Sequence, residues 1–229
     1  MNKIWITFLL MTIGLNLNAD DSKNANPVDL LTFRQIDALC PWLQAGNAAG
    51  LSQMPGLFPA GLELGYGRTN GNFHSVFQGD TNDSFHFDSK SYRKINRTFL
   101  FGAFEYQKSS EKRLNYSNTN EPQLNYPYLL ADTIGNDTYT REFFNLSGTI
   151  ASPVSNKIDW GLNFKYQVGE AAQNRDPRAE NKVVQASVSP GLLFKADHFR
   201  VGANLGYGYY NEDIDVSVVE EGAQHILFQ

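Results

Sequence analysis

Residues 158–168, IDWGLNFKYQV, alternate without a break. Ile158, Trp160, Leu162, Phe164, Tyr166 and Val168 fall on one phase; Asp159, Gly161, Asn163, Lys165 and Gln167 fall on the other. Period-two alternation over this length specifies a β-strand with one apolar and one polar face. The apolar face must meet either a protein core or lipid, and the rest of the chain bears on that choice.

The same pattern recurs on both sides. Leu62, Leu64 and Tyr66 alternate with glycines and Glu63 in a strand over 60–69. A second strand over 83–93 carries Phe85 and Phe87, then Ser89 and Ser91 in the apolar phase, which admits a bulge. A third spans 98–108 through Leu100, Phe104 and Tyr106, and a fourth spans 139–150 through Phe144, Leu146 and Ile150. A sixth covers 182–194, where Pro190 removes a ladder bond and predicts a bulge or a near-terminal position. The seventh, 199–210, is as regular as the fifth, and Ile214, Val216 and Val218 begin an eighth strand or lie in a loop.

The N-terminus reads as a secretory signal over residues 1–19. Lys3 supplies the charge, 4–15 is a short apolar run, and Leu17-Asn18-Ala19 offers a cleavage site. Twelve apolar residues are too few for a spanning helix, which needs about 20. Residues 20–59 lack alternation. Their Gly- and Pro-rich pieces, 46–50 and 54–59, read as breakers in a periplasmic lead-in or a plug segment. The single cysteine, Cys40, excludes an intrachain disulfide and a thiolate metal cluster. A net charge of −5 argues against nucleic acid as a partner.

Alternation alone does not separate a soluble sandwich from a membrane barrel. Strands of ten to twelve residues match a tilted crossing of about 9–11 residues, whereas sandwich strands usually run to about 5–6. The connections alternate between short turns (94–97, 151–157, 195–198) and longer loops (70–82, 109–138, 169–181). That is the arrangement of outer-membrane barrels. The expected fold is therefore all-β, an antiparallel transmembrane β-barrel over 60–229, in the bacterial outer membrane with lipid as its partner. Seven clear strands are an odd number, while bacterial single-chain barrels are even. The segment reads either as the N-terminal portion of a longer barrel or as a small eight-stranded barrel closed by an irregular last strand.

An ordered set of short pieces carries a resemblance. Trp42 with residues 46–51 (GNAAGL), Tyr92-Arg93-Lys94, residues 131–135 (ADTIG), Tyr166-Gln167-Val168-Gly169 and Asp176-Pro177-Arg178 follow one another. From about residue 40 onward the chain resembles the uncharacterised outer-membrane β-barrel proteins of Bacteroidetes-type bacteria, a family of unknown function. The resemblance implies a companion of a TonB-dependent receptor system, with no catalytic residues or cofactor to carry over. Members of that family are typically longer than this chain.

The residues on the polar phase line the predicted lumen: Glu63, Glu105, Asn163, Lys165, Gln167 and Arg200, together with Asp159, Gln185 and Asn204. Their mixed signs suit a non-enzymatic transport or surface-binding role, or a salt-bridged interior that conducts nothing. Two other readings stand beside it. One is a secreted soluble β-sandwich that binds a ligand. The other is an outer-membrane hydrolase in which His86 and Asp88, two apart on one strand, act as base and orienter. The glycines at 65, 67, 202, 206 and 208 are read as relieving barrel curvature rather than admitting a plug. Loop acids such as Asp80, Asp83, Asp132, Asp137, Asp176 and Asp213 read as solvated polarity rather than a calcium site.

Overall fold

The computed structural model describes residues 40–54, 58–74, 78–114, 138–173 and 178–217. The expected signal peptide, residues 20–39, most of the 109–138 loop and the Asp176-Pro177 pair lie outside the described residues. A four-residue helix, α1 (Pro41–Gln44), and a 3-10 helix (Ala48–Gln53) precede eight strands: β1 (Ala60–Asn70), β2 (Thr81–Ile95), β3 (Thr98–Lys112), β4 (Thr138–Pro153), β5 (Ile158–Gln173), β6 (Arg178–Lys195), β7 (Arg200–Asn204) and β8 (Tyr207–Ser217). Among the described residues no helix is long and apolar enough to cross a membrane.

The strands form one antiparallel sheet in the order β1 to β7, with β8 also paired to β6. The sheet is open, so the closed barrel expected from the sequence is corrected to an open sheet of eight strands. Its topology explains why the two edges do not meet. β7 and β8 lie along one track, so seven tracks alternate in direction. The first and the last then run the same way, and closing them on each other would require a parallel pair in an otherwise antiparallel meander.

The registers are regular. Neither Ser89 nor Ser91 marks a bulge: the β1–β2 ladder runs from Ala60↔Ser91 to Asn70↔Thr81 without a slip, and β2–β3 from Thr81↔Lys112 to Ile95↔Thr98. Pro190 makes no bulge either. Gly191 pairs with Asn204 on one side of the gap between β7 and β8, and Val188 pairs with Tyr207 on the other, so the register is conserved across it. Proline has no N–H to give, while its carbonyl still accepts from the Leu205 N–H at 3.1 Å. The sheet loses a rung opposite Pro190 and keeps its path. Ile214 and Val216 continue β8 rather than starting another strand.

β3 to β6 are 15 to 18 residues long, beyond the ten to twelve expected. Of the loop expected at 169–181, residues 169–173 and 178–181 are strand, and 174–177 lie outside the described residues. The sequence conceals this because the apolar phase turns charged at one row. Lys108, Glu142, Glu170, Lys182 and Asp213 are successive cross-strand partners on that phase. One row inward, Tyr106, Phe144, Val168 and Val184 are likewise successive partners. The apolar belt therefore ends at Val168 while the strand goes on.

At the other end of the sheet the turns are tight. Residues 96–97 reverse the chain between β2 and β3 with Asn96 at φ 56°, a left-handed conformation that asparagine tolerates. Residues 154–157 and 196–199 make the other two turns.

The two faces are covered very differently. The apolar phase is bare: Leu62 (75% exposed), Leu64, Tyr66, Phe104, Phe144, Leu146, Trp160, Phe164, Tyr166, Val188 and Leu192 are all exposed. The protein's own packing lies on the opposite, polar-phase face. One cluster joins Cys40, Leu51 and Met54 to Tyr92, Phe99 and Ala151, and a second joins Leu114, Tyr139 and Ala171.

Candidate functional site

The polar-phase face divides into three zones along the strands. At the turn end it carries residues 40–54. Asn47, 2% exposed, caps the 3-10 helix by accepting the Ala49 N–H at 3.0 Å. Its amide nitrogen donates to the carbonyls of Leu192 (3.0 Å) and Ala203 (3.3 Å), which ties the segment to β6 and β7. Gly46 turns the chain into this position at φ 75°, and its carbonyl accepts from the Asn204 side chain at 3.3 Å.

The sheet is shaped to receive this segment. Gly161 and Gly191 are direct cross-strand partners. A Cβ on Gly161 would overlap the Ala48 and Ala49 backbone, and one on Gly191 would overlap Asn47 Oδ1. Gly202 is covered by Asn47 and by the Trp42 ring. Gly202 thus serves close approach rather than curvature, whereas Gly206 and Gly208 meet nothing closer than 3.2 Å. Asp159 closes the junction. It is fully buried and accepts from Ser52 Oγ and Gln53 Nε2, each at 2.6 Å, and from Lys195 Nζ at 2.7 Å. A buried carboxylate survives only with such a set of donors.

The middle zone holds the residues predicted to line a lumen. Glu105, Lys165, Gln167 and Gln185 come together with Asn145 and Ser187 in an open groove of about 290 Å³. Asn145 donates to Glu105 at 3.3 Å. Asn163 shares the face but is tied down, donating to Thr149 Oγ1 at 2.7 Å. Glu63 and Arg200 share the polar phase but not the groove: Glu63 sits on the β1 edge, and Arg200 pairs with Lys195 at the turn end of β7. His86 Nε2 lies 3.6 Å from Glu63 and 4.0 Å from Asp88, with its ring over Gly65. Those are ion-pair distances, longer than the hydrogen bond by which a general base is oriented. Among the described residues no three His, Cys, Asp or Glu side chains gather as a metal site.

At the loop end the strands continue past the charged row with their polar-phase face buried. Arg141 pairs with Glu111 at 2.7 Å and lies 4.5 Å from the centroid of the Tyr139 ring. Glu111 also accepts the Gly79 N–H at 2.7 Å, and Asn181 donates to Glu212 at 2.8 Å. Asp80 pairs with Arg113, and the hydrogen bond from that guanidinium holds its carboxyl below the usual range. These bonds fasten the loop residues 79 and 80 to the end of β3.

Residues 48–229 match the family described as "Family of unknown function (DUF6850)". The chain belongs to that family. The DUF6850 match begins inside the docked segment. It includes Ala48 to Leu51 and every strand, while Trp42, Gly46 and Asn47 precede it. No curated protein and no solved structure matches the chain. The residues of this DUF6850 chain that sequence reasoning missed are Asn47, Gly161, Gly191 and the Tyr92–Phe101 pair. A single 3-10 turn and its lead-in carry no strand period, so 46–50 reads as a breaker. The usable signal was the coincidence of unbranched GNAAG with glycines on the polar phase of two regular strands.

Proposed function

We propose that this chain is part of an outer-membrane β-barrel whose bare apolar face meets lipid, with a non-enzymatic role in transport or surface binding. One observation carries the reading: the apolar face is uncovered, and the docked segment lies on the polar face. A soluble sandwich buries its apolar faces against each other and leaves the polar ones wet. The arrangement here is the reverse, which suits lipid outside and water or a plug inside.

The belt has the right height. On β5 it runs from Ile158 to Val168, eleven residues, against about 9–11 for a tilted crossing. Tyr106 stands just inside the charged row with its hydroxyl donating to Glu142 at 2.7 Å, where an amphipathic ring bridges hydrocarbon and headgroup. Beyond that row β3 to β6 extend past the lipid as a small β-structure with its own packed residues. The open edges and the odd number of tracks favour a larger barrel, in which further strands separate β8 from β1. Residues 47–53 act as a plug against the inner wall. A companion role beside a TonB-dependent receptor stays a proposal that rests on the resemblance.

Fractionation of cells expressing the full chain tests the reading. Recovery with outer membranes, resistant to high salt and released by detergent, is the expected result. Recovery in the soluble fraction without detergent would overturn it in favour of a secreted sandwich.

A further inference from the structure

Between the docked segment and the groove lies a second, larger pocket of about 430 Å³, as open to one side as the groove itself. Its volume falls in the range of about 300–1,000 Å³ common to small-molecule sites. Its floor differs from the rest of the polar face. Leu43 and Leu51 come from the docked segment, and Tyr92 and Phe101 come from β2 and β3. The two rings are direct cross-strand partners with centroids 4.6 Å apart. Its rim is polar, with Asn163 and Lys165 from β5.

Lys165 is the decisive group. It is exposed, it borders both this pocket and the groove, and it forms no ion pair among the described residues. The other lysines on the same face have acids beside them or lie elsewhere: Lys195 is held by Asp159 at the turn end. An apolar, partly aromatic floor with one ammonium at its rim that makes no ion pair among the described residues complements a small amphiphilic anion. The body of such a ligand lies against Phe101, which Tyr92 backs from beneath, and its carboxylate reaches Lys165. Asn163 is held by its bond to Thr149 at 2.7 Å, and both residues line the pocket.

We infer that this pocket binds a small aryl carboxylate, with Lys165 as the anion contact and the half-buried Phe101 ring, backed by the buried Tyr92, as the stacking surface. The inference deepens the binding role proposed above and rests on it for the orientation of the polar face toward water. Because Leu43 and Leu51 complete the floor, the site exists only while the segment is docked. Ligand binding therefore stabilises the docked position by mass action.

The experiment is calorimetric titration of the full chain in lipid nanodiscs, which avoids detergent tails competing for the floor. The probes are 4-phenylbutyrate and its neutral amide. The carboxylate is expected to bind at least tenfold more tightly than the amide. Lys165→Met is expected to lower carboxylate affinity to that of the amide, and Lys165→Arg to restore most of it. Protection of residues 43–53 from hydrogen exchange is expected to rise with the carboxylate. Absence of carboxylate binding, or equal binding by the native chain and Lys165→Met, would overturn the inference. If the chain proves soluble, the same titration in buffer still decides the pocket, so failure of the membrane reading and failure of the site are separate results.

Discussion

The ammonium of Lys195 lies 2.7 Å from Oδ1 of Asp159, a carboxylate with no exposed surface at all. The two come from adjacent strands, and Ser52 and Gln53 of the docked segment supply the remaining donors. The only buried charge at the turn end among the described residues is thus shared between sheet and segment.

Removing Lys195 alone should cost more than removing both members of this pair. Lys195→Met leaves a buried carboxylate with neutral donors only, a change in the class that typically costs about 3–5 kcal/mol. Asp159→Asn keeps a polar group in place, and Lys195, a quarter exposed at its side chain, can turn to water. The expected order of stability is native, then Asp159→Asn, then Lys195→Met, with the double variant above Lys195→Met. Denaturant unfolding of the four proteins checks it. A double variant less stable than Lys195→Met would show that the pair is not coupled as drawn.

Close approach of the 3-10 helix depends on the missing side chains at 161 and 191. Gly161→Ala places a methyl group into the Ala48–Ala49 backbone, and Gly191→Ala places one against Asn47 Oδ1. Overpacking of this kind costs about 1–3 kcal/mol. Gly161→Ala should be the worse of the two, since backbone yields less than a side chain. Gly102→Ala is the control, because nothing lies within 4 Å of the added atom. Limited proteolysis between residues 40 and 54 should accelerate in the first two and stay unchanged in the third. Equal cleavage in all three would separate the glycines from docking.

The strand interiors were legible because each pairs a bare apolar phase with a polar one, and Ile158 to Val168 is the clearest case. The strand ends were not. At Glu170 the outward phase becomes charged, and Ala171 on the inward phase is buried, so the contrast that marks a strand disappears while pairing continues to Gln173. Closure was not legible either, since edge pairing has no sequence signature. The polar phase implies a lumen or a salt-bridged interior, yet Tyr92, Phe99 and Leu193 lie on it and are buried. Single apolar residues in a polar phase look like noise until the segment that covers them is known.

The Asp80–Arg113 pair sets an acid limit on the fastening of the loop end. Its folded carboxyl titrates below the ordinary value, chiefly through the hydrogen bond from Arg113. A depressed carboxyl contributes stability that is fully present above the unfolded value of about 3.9 and is lost as the pH falls through the folded one. Exchange of the Asp80 N–H, which donates to the Lys112 carbonyl at 3.1 Å, should stay protected at pH 5 and lose protection below pH ~3.9. Asp80→Asn should abolish that acid step. A step that persists in Asp80→Asn would assign it to another carboxyl.

The assignment of faces makes the sharpest prediction, because neighbouring residues should behave in opposite ways. Leu146 is exposed on the apolar belt, paired with Phe104 and Tyr166, while Ser147 lies on the groove side. In lipid, Leu146→Arg buries a guanidinium in hydrocarbon at a cost of about 2–4 kcal/mol near mid-bilayer. Ser147→Arg enters a polar groove that already holds Glu105 and should be mild. Asn163→Arg is a poorer comparison than its position on the polar phase implies, since it also breaks the bond to Thr149. Folding yields into vesicles, read as heat-modifiable migration on gels, give the measurement. A collapse in yield for Leu146→Arg alone supports lipid on that face, and equal yields for the two variants would place water on both sides of the sheet.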